Sequence, residues 1–418
     1  GSRSCLLLFS RGSCHLHRFA MAHAHDVFMI SHDIQPASAM AYWGEAFTYP
    51  HPLFGQKDAG PGEALMRLGA TSEERLAKAP TEREKGFLRA AEAYALTVGE
   101  MRARRIAWMN AMADLYEKYP DDNEVKAFYA ASLLAGATAS PDDRERINMR
   151  AGALALQLFK ENGNHPGAAH YVIHAFDDPI HAPIALEAAT AYADIAPAVS
   201  HARHMPTHIF IQHGMWNEVS IWNDSAFNAG LELWQPGDAT GDMNHSSDWG
   251  QYGDLQLGDL AKSERWIRRG QMVLDNAPDS GRAAATVKTM KARHIIESKQ
   301  WQTQPFSDDL DATELLALGL SAANLGELPL ANQVVRKLSS MLSASPDNAD
   351  LKLIHHEVAA LTLHKESMQG AMVDVAKRQQ ALDLMQEAIT IKEGQRPPNG
   401  AATPLKPVHE LAAEMMLE

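Results

Sequence analysis

Cysteine is almost absent from this sequence of 418 residues. Only Cys5 and Cys14 occur, so thiolates cannot build a zinc ribbon or an iron-sulfur site. The sequence also lacks the phosphate-binding Gly-x-x-x-x-Gly-Lys-Ser/Thr loop, the Gly-x-Gly-x-x-Gly fingerprint and the Gly-x-Ser-x-Gly elbow. These absences disfavour nucleotide hydrolysis and catalysis by a nucleophilic serine. No apolar run approaches the roughly 20 residues of a membrane-spanning helix, so we expect no membrane span.

The sequence has fewer basic residues than acidic residues. Lys and Arg number 38 against 52 Asp and Glu, which gives a net charge of -14. Such a balance repels phosphate backbones and anionic lipid, so we predict that nucleic acid is not a partner. Apolar residues make up 45% of the chain and charged residues 22%, an ordinary balance for a folded protein. The sequence leaves open whether the protein is cytoplasmic or periplasmic.

Patterns typical of β-strands are scarce as well. Alternating β-branched runs are nearly absent, whereas Ala and Leu recur at helical spacing and turns containing proline separate the amphipathic stretches. We therefore predict an all-α fold. The predicted organisation has N-terminal helical repeats over residues 1–150, central repeats with a histidine-rich groove over 151–270, and C-terminal repeats over 271–418.

Two similar strings indicate an internal repeat. Residues 169–176 read AHYVIHAF and residues 203–210 read RHMPTHIF, and each contains His-x-x-x-His followed two residues later by Phe. His170 and His204 lie 34 residues apart, as do His174 and His208. A period of 34 residues is that of the tetratricopeptide repeat (TPR), in which helix pairs stack into a solenoid.

The chain resembles the TPR superfamily in further strings, namely AMAYWG at residues 39–44 and the turn Leu325-Gly326 followed by small and apolar positions. More narrowly, it is similar to a bacterial group of histidine-rich TPR proteins that carry the strings HYVIH and HMPTHIF, with HPL at residues 51–53. The resemblance implies a right-handed helical solenoid with a concave groove. It supplies a fold and motif positions but no reaction.

The TPR-like register implies which side chains line that groove. With Gly214 and Gly258 as turn glycines, positions of three successive first helices face the groove. The implied lining residues are His170, His174 and Asp178 on the first of these helices, His201, His204 and His208 on the second, and His245, Asp248 and Tyr252 on the third.

This histidine pattern predicts a metal site. Histidines four residues apart on a helix point in the same direction and can share one ion. We predict that the ion is a transition metal (Zn, Cu or Fe), because imidazole without thiolate suits these ions better than Mg or Ca. The predicted ligands are His170, His174, His201, His204, His208 and His245, and the predicted catalytic residues are Asp178, Asp248 and Tyr252. The alternative is that these histidines fill helix interfaces or bind an anionic ligand directly.

Two functions fit these observations. The first is a metal-dependent enzyme, a hydrolase or an oxidoreductase, that acts on a small molecule in the groove. The second is a non-catalytic scaffold that binds a peptide or a partner protein there. A groove lined by His, Asp and Tyr, instead of Lys, Arg and Asn, favours the first. Four further histidines could face the same groove or lie on a surface helix: His15, His17, His23 and His25.

Overall fold

The computed structural model describes residues 3–49, 59–195 and 199–418. Over these residues the regular elements are helices, and no strand occurs among them. His51 of the HPL string lies outside the described residues. Within the described part of the chain, no helix is both long and apolar enough to cross a bilayer. The all-α prediction is confirmed.

The helices fall into two compact units, Gly1–His213 and Gly214–Glu418. The boundaries at residues 150 and 270 remain a prediction from the sequence. The first unit contains α1 Arg3–His17, α2 Met21–Ile34, α3 Ala39–Ala46, α4 Gly60–Leu68, α5 Ser72–Ala77, α6 Glu82–Leu96, α7 Met101–Lys118, α8 Asn123–Thr138, α9 Arg144–Glu161, α10 Pro166–Ala175, α11 Ala182–Ile195, α12 Ser200–His204 and α13 Pro206–Gln212. The second unit contains α14 Trp216–Leu233, α15 Gly241–Gln256, α16 Leu260–Asn276, α17 Gly281–Ser298, α18 Ala312–Asn324, α19 Leu328–Ala344, α20 Ala349–Ser367, α21 Val375–Glu393 and α22 Val408–Leu417.

Consecutive helices pack against one another in the first unit. From α6 to α11 each helix contacts the next one along the chain, and α8 also contacts α10. Helix α8 is buried from Val125 to Ala137, as expected for a helix that is apolar on all sides and covered by several neighbours. Successive helix pairs of this kind are the TPR-like helical repeat arrangement that the resemblance implied.

The helices of the second unit are also capped, amphipathic and packed in succession. Helix α18 begins with a capping box, in which the side chains of Asp311 and Glu314 satisfy backbone N–H groups at the helix start. Helix α19 buries one apolar stripe at helical spacing, formed by Leu328, Ala331, Val334 and Leu338. The helices of this unit also pack in succession, from α14 against α15 through α20 against α21.

Three turn glycines adopt the backbone conformation that the TPR-like register requires. Gly258 (φ 73°) joins α15 to α16, Gly326 (φ 77°) joins α18 to α19, and Gly214 (φ 65°) precedes α14. Positive φ favours glycine because any side chain would meet the backbone there. Gly258 and Gly326 lie 68 residues apart, which is twice the 34-residue period.

Proline shapes the helices that carry the central histidines. Helix α10 starts with Pro166 directly after its cap residue His165, a position where the missing N–H costs nothing. Pro206 separates α12 from α13, because it has no N–H for the preceding turn. Met205 nevertheless keeps helical angles (φ -51°, ψ -40°), so the chain stays helical through the break and presents His201, His204 and His208 in succession.

Candidate metal centre

Three histidines of the first unit bring their Nε2 atoms together. Nε2 of His170 lies 3.1 Å from Nε2 of His174 and 3.2 Å from Nε2 of His201. Ligands that surround a zinc ion tetrahedrally at about 2.0–2.1 Å are roughly 3.3–3.4 Å apart. The spacing of these three nitrogens is therefore close to that of a ligand set, and the group could hold a metal ion.

The ring of His170 is held in one orientation. It is fully buried, it stacks on Tyr192 with an interplanar angle of 12°, and its Nδ1 donates to the backbone carbonyl of His17 at 2.6 Å. Because a carbonyl can only accept, Nδ1 carries the proton, and the neutral ring has its lone pair on Nε2. A backbone carbonyl that fixes the distal nitrogen in this way is typical of metal-binding histidines.

Phe19 forms an apolar wall beside the three histidines. Its ring centroid lies 4.5 Å from that of His170, 5.6 Å from that of His174 and 5.9 Å from that of His201. Phe19 is itself buried, whereas His174 and His201 are partly exposed. The group therefore has a buried apolar side at Phe19 and two rings that are partly exposed to solvent.

A second pair of histidines continues the group. Nε2 of His204 lies 3.0 Å from Nε2 of His208, and the rings of His174 and His208 are 6.4 Å apart. Nδ1 of His208 donates to the carboxylate of Asp177 at 2.8 Å, which directs the lone pair of the neutral ring to Nε2. We call His170, His174, His201, His204 and His208 the five-histidine group.

The structure corrects the expected position of one acidic residue. Asp178 does not continue the row of His170 and His174, because α10 ends at Ala175. Its carboxylate instead accepts from the backbone N–H groups of Ile180 and His181 and from Nδ1 of His181. Burial alone would raise the pKa of Asp178, but these donors hold the pKa below its ordinary value.

The carboxylate that contacts the five-histidine group belongs to the neighbouring Asp177, which the sequence pattern did not predict. The sequence does contain a residue that indicates an earlier end of the helix. Pro179 follows Asp178, and the residue before a proline is disfavoured in a helix. Pro179 therefore indicates a helix that ends before Asp178, contrary to the predicted row of His170, His174 and Asp178. The role of Phe19 had no comparable signal in the spacing.

The remaining predicted site residues lie on α15 in the second unit, and their membership of the site remains a prediction. His245 is partly exposed. Asp248 pairs with the guanidinium of Arg293 at 2.8 Å, and that guanidinium also lies over the ring of Tyr252. Burial and the nearby carboxylate of Glu297 raise the pKa of Tyr252, so its hydroxyl keeps its proton at neutral pH.

Comparisons with known proteins assign no family. No protein-family profile matches the chain, and no curated protein matches it. One solved structure, the human IFIT1 dimer with PPP-AAAA, aligns over 94% of this chain and 95% of that chain, with 12% identity and a TM-score of 0.33.

Proposed function

We propose that the five-histidine group binds a transition-metal ion and that the protein is a metal-dependent enzyme acting on a small molecule. The observation that supports this proposal is the convergence of Nε2 atoms from His170, His174 and His201, with Nδ1 of His170 committed to a backbone carbonyl. Three imidazole ligands also leave a coordination position for water or substrate, as in catalytic zinc sites.

The ligand atoms of the five-histidine group limit which metals, and therefore which reactions, are expected. Imidazole nitrogens suit zinc, copper and iron. A bound zinc would supply a water of lowered pKa for hydrolysis, and copper or iron would supply redox chemistry. Asp177 would hold His208 in its orientation, and Phe19 would keep water away from one side of the group. Asp177 would orient a ligand and Phe19 would exclude water, and both roles would be the same for zinc, copper or iron.

A non-catalytic scaffold is the alternative function. It would hold a peptide or partner protein in a groove of the helical repeats. The net charge of -14 supports the further proposal that nucleic acid is not the partner. Sites for acidic peptides require cationic side chains, and the residues proposed to line this groove are His, Asp and Tyr.

Metal analysis of the full chain, purified without a histidine tag, tests the proposal. The double variant His174→Ala/His201→Ala should lose a tightly bound transition metal and keep its helical circular dichroism, since both side chains are partly exposed. His181→Ala is the matched control, because His181 is partly buried but bonds to Asp178 outside the group. Metal content unchanged in the double variant would refute the site.

The variant Asp248→Asn helps to distinguish a metal-dependent enzyme from a non-catalytic scaffold. If Asp248 moves a proton in the reaction, the variant should keep the metal and lose most turnover in a screen of hydrolytic and oxidative small-molecule substrates. Loss of the metal instead would make Asp248 a ligand. If the wild-type protein turns over no small molecule and binds a peptide, the scaffold is the correct function.

A further inference from the structure

A second set of metal-ligating side chains lies in the first unit, outside the five-histidine group. His17 is the last residue of α1, Glu124 is the second residue of α8, and His165 caps α10. Nε2 of His17 lies 3.0 Å from one oxygen of Glu124, and Nε2 of His165 lies 3.4 Å from the other. One ligand atom from each side chain falls within 4.8 Å of the others.

Hydrogen bonds satisfy only part of this set. The hydroxyl of Tyr171 lies 2.8 Å from Nδ1 of His17, and Nε2 of His17 donates to Glu124. Nδ1 of His165 accepts from the backbone N–H of Ala168, so the proton of the neutral ring is on Nε2. That Nε2 atom is buried and has no hydrogen-bond partner in the described part of the chain.

Glu124 contributes the one carboxylate of this set. Among the described residues, its ion-pair contacts are with His17 and His165, and both of these rings are more than nine-tenths buried. A carboxylate that faces two buried imidazole nitrogens favours a cation that binds all three side chains. The Glu124 side chain is 37% exposed, which gives an ion a path from solvent.

We propose that His17, Glu124 and His165 bind a second divalent metal ion, with zinc as the best fit. Two imidazoles and one carboxylate are an established zinc ligand set, and both Nε2 atoms face the carboxylate. When an ion replaces the proton on Nε2 of each ring, Nδ1 takes the proton. In His165 the protonated Nδ1 no longer accepts from the backbone N–H of Ala168, so this cap bond is given up when the ion binds. In His17 that Nδ1 can then donate to the oxygen of Tyr171, which is able to accept.

The ion would join the end of α1 to the starts of α8 and α10. It would also fix the position of His17, whose backbone carbonyl accepts from the ring of His170. The second site would thereby steady the five-histidine group without contributing a ligand to it. This inference does not rest on the proposed function, because its ligands are separate residues.

Zinc uptake by the full chain tests the inference. Protein stripped with a chelator is titrated with Zn²⁺, and bound zinc is counted after gel filtration. His165→Asn keeps an acceptor at the helix cap and removes Nε2, and Glu124→Gln removes the charge while keeping the shape. Each should bind one zinc fewer per chain than the wild type. Glu161→Gln, which changes a carboxylate paired with Lys126, should bind as much as the wild type.

A variant that lacks the first site distinguishes the second metal site from the proposed function. The variant His174→Ala/His201→Ala should still bind one zinc, and zinc should raise its melting temperature. Addition of His165→Asn should abolish both the uptake and the thermal shift. If the double variant binds no zinc, or binds equally with and without His165→Asn, the second site does not exist and the three residues form only a hydrogen-bonded network.

Discussion

Nδ1 of His170 donates to the backbone carbonyl of His17 at 2.6 Å, across 153 positions of sequence. His17 ends α1, and the last carbonyls of a helix have no partner within that helix. A single contact therefore satisfies an orphan carbonyl and sets the tautomer of a buried imidazole. It leaves Nε2 of His170 as the nitrogen that faces His174 and His201.

The adjacent carboxylates of Asp177 and Asp178 should respond differently to truncation. Asp177→Ala removes the acceptor that orients His208, so zinc affinity at the five-histidine group should fall about 10- to 100-fold with a small change in stability. Asp178→Ala removes an acceptor for two backbone N–H groups, so stability should fall by about 1 kcal/mol while zinc affinity is kept. Zinc titration and thermal unfolding of both variants check this. A larger loss of affinity in Asp178→Ala would contradict the assignment.

Replacement of Phe19 by glycine should destabilise the protein although it relieves backbone strain. Phe19 has φ 54° after the end of α1, where N–H groups of Phe19 and Ala20 bond back to Leu16 and His15, a position that glycine usually occupies. Relief of the left-handed conformation gains roughly 1–2 kcal/mol. Loss of the buried ring costs roughly 3–5 kcal/mol.

The net loss for Phe19→Gly should be about 1–4 kcal/mol in denaturant unfolding. Phe19→Ala is the matched control, because it loses the ring and keeps the strain. It should be less stable than Phe19→Gly, and the difference between the two measures the strain less the extra backbone entropy that glycine loses on folding. A glycine variant as stable as the wild type would show that the ring contributes little to the packing around the histidines.

The buried carboxyl of Glu357 in α20 should make stability depend on pH. Neither of its oxygens has a hydrogen-bond partner among the described residues, and burial raises its pKa well above the ordinary value, against the attraction of Lys406 and Lys392. The folded protein therefore holds a proton that the unfolded chain releases above about pH 4.3. Through this group, stability falls as the pH rises above that value.

Glu357→Gln removes this dependence and should melt at a higher temperature than the wild type at pH 8. The difference should be small near pH 4, where the wild-type carboxyl is mostly protonated in both states. Melting temperatures of the two proteins measured in parallel from pH 4 to pH 8 isolate the contribution of Glu357. A difference that does not change with pH would show that the side chain is not a buried acid.

Features that depend on near neighbours along the chain could be predicted from the amino-acid sequence. Helical periodicity predicted the all-α fold, because the side chains of one helix face recur every three to four residues. The same spacing placed His170 beside His174. The turn glycines Gly258 and Gly326 could be assigned because the left-handed conformation is a property of the residue itself.

Tertiary structure alone decided which distant groups complete the site. The carbonyl of His17 and the ring of Phe19 reach His170 because α1 packs against α10, and no local spacing relates the two helices. Likewise, α10 ends at Ala175, and the carboxylate beside His208 is that of Asp177 and not that of Asp178. Periodicity fixes the direction of a side chain on its own helix, but the partner that it meets depends on the packing of helices far apart in sequence.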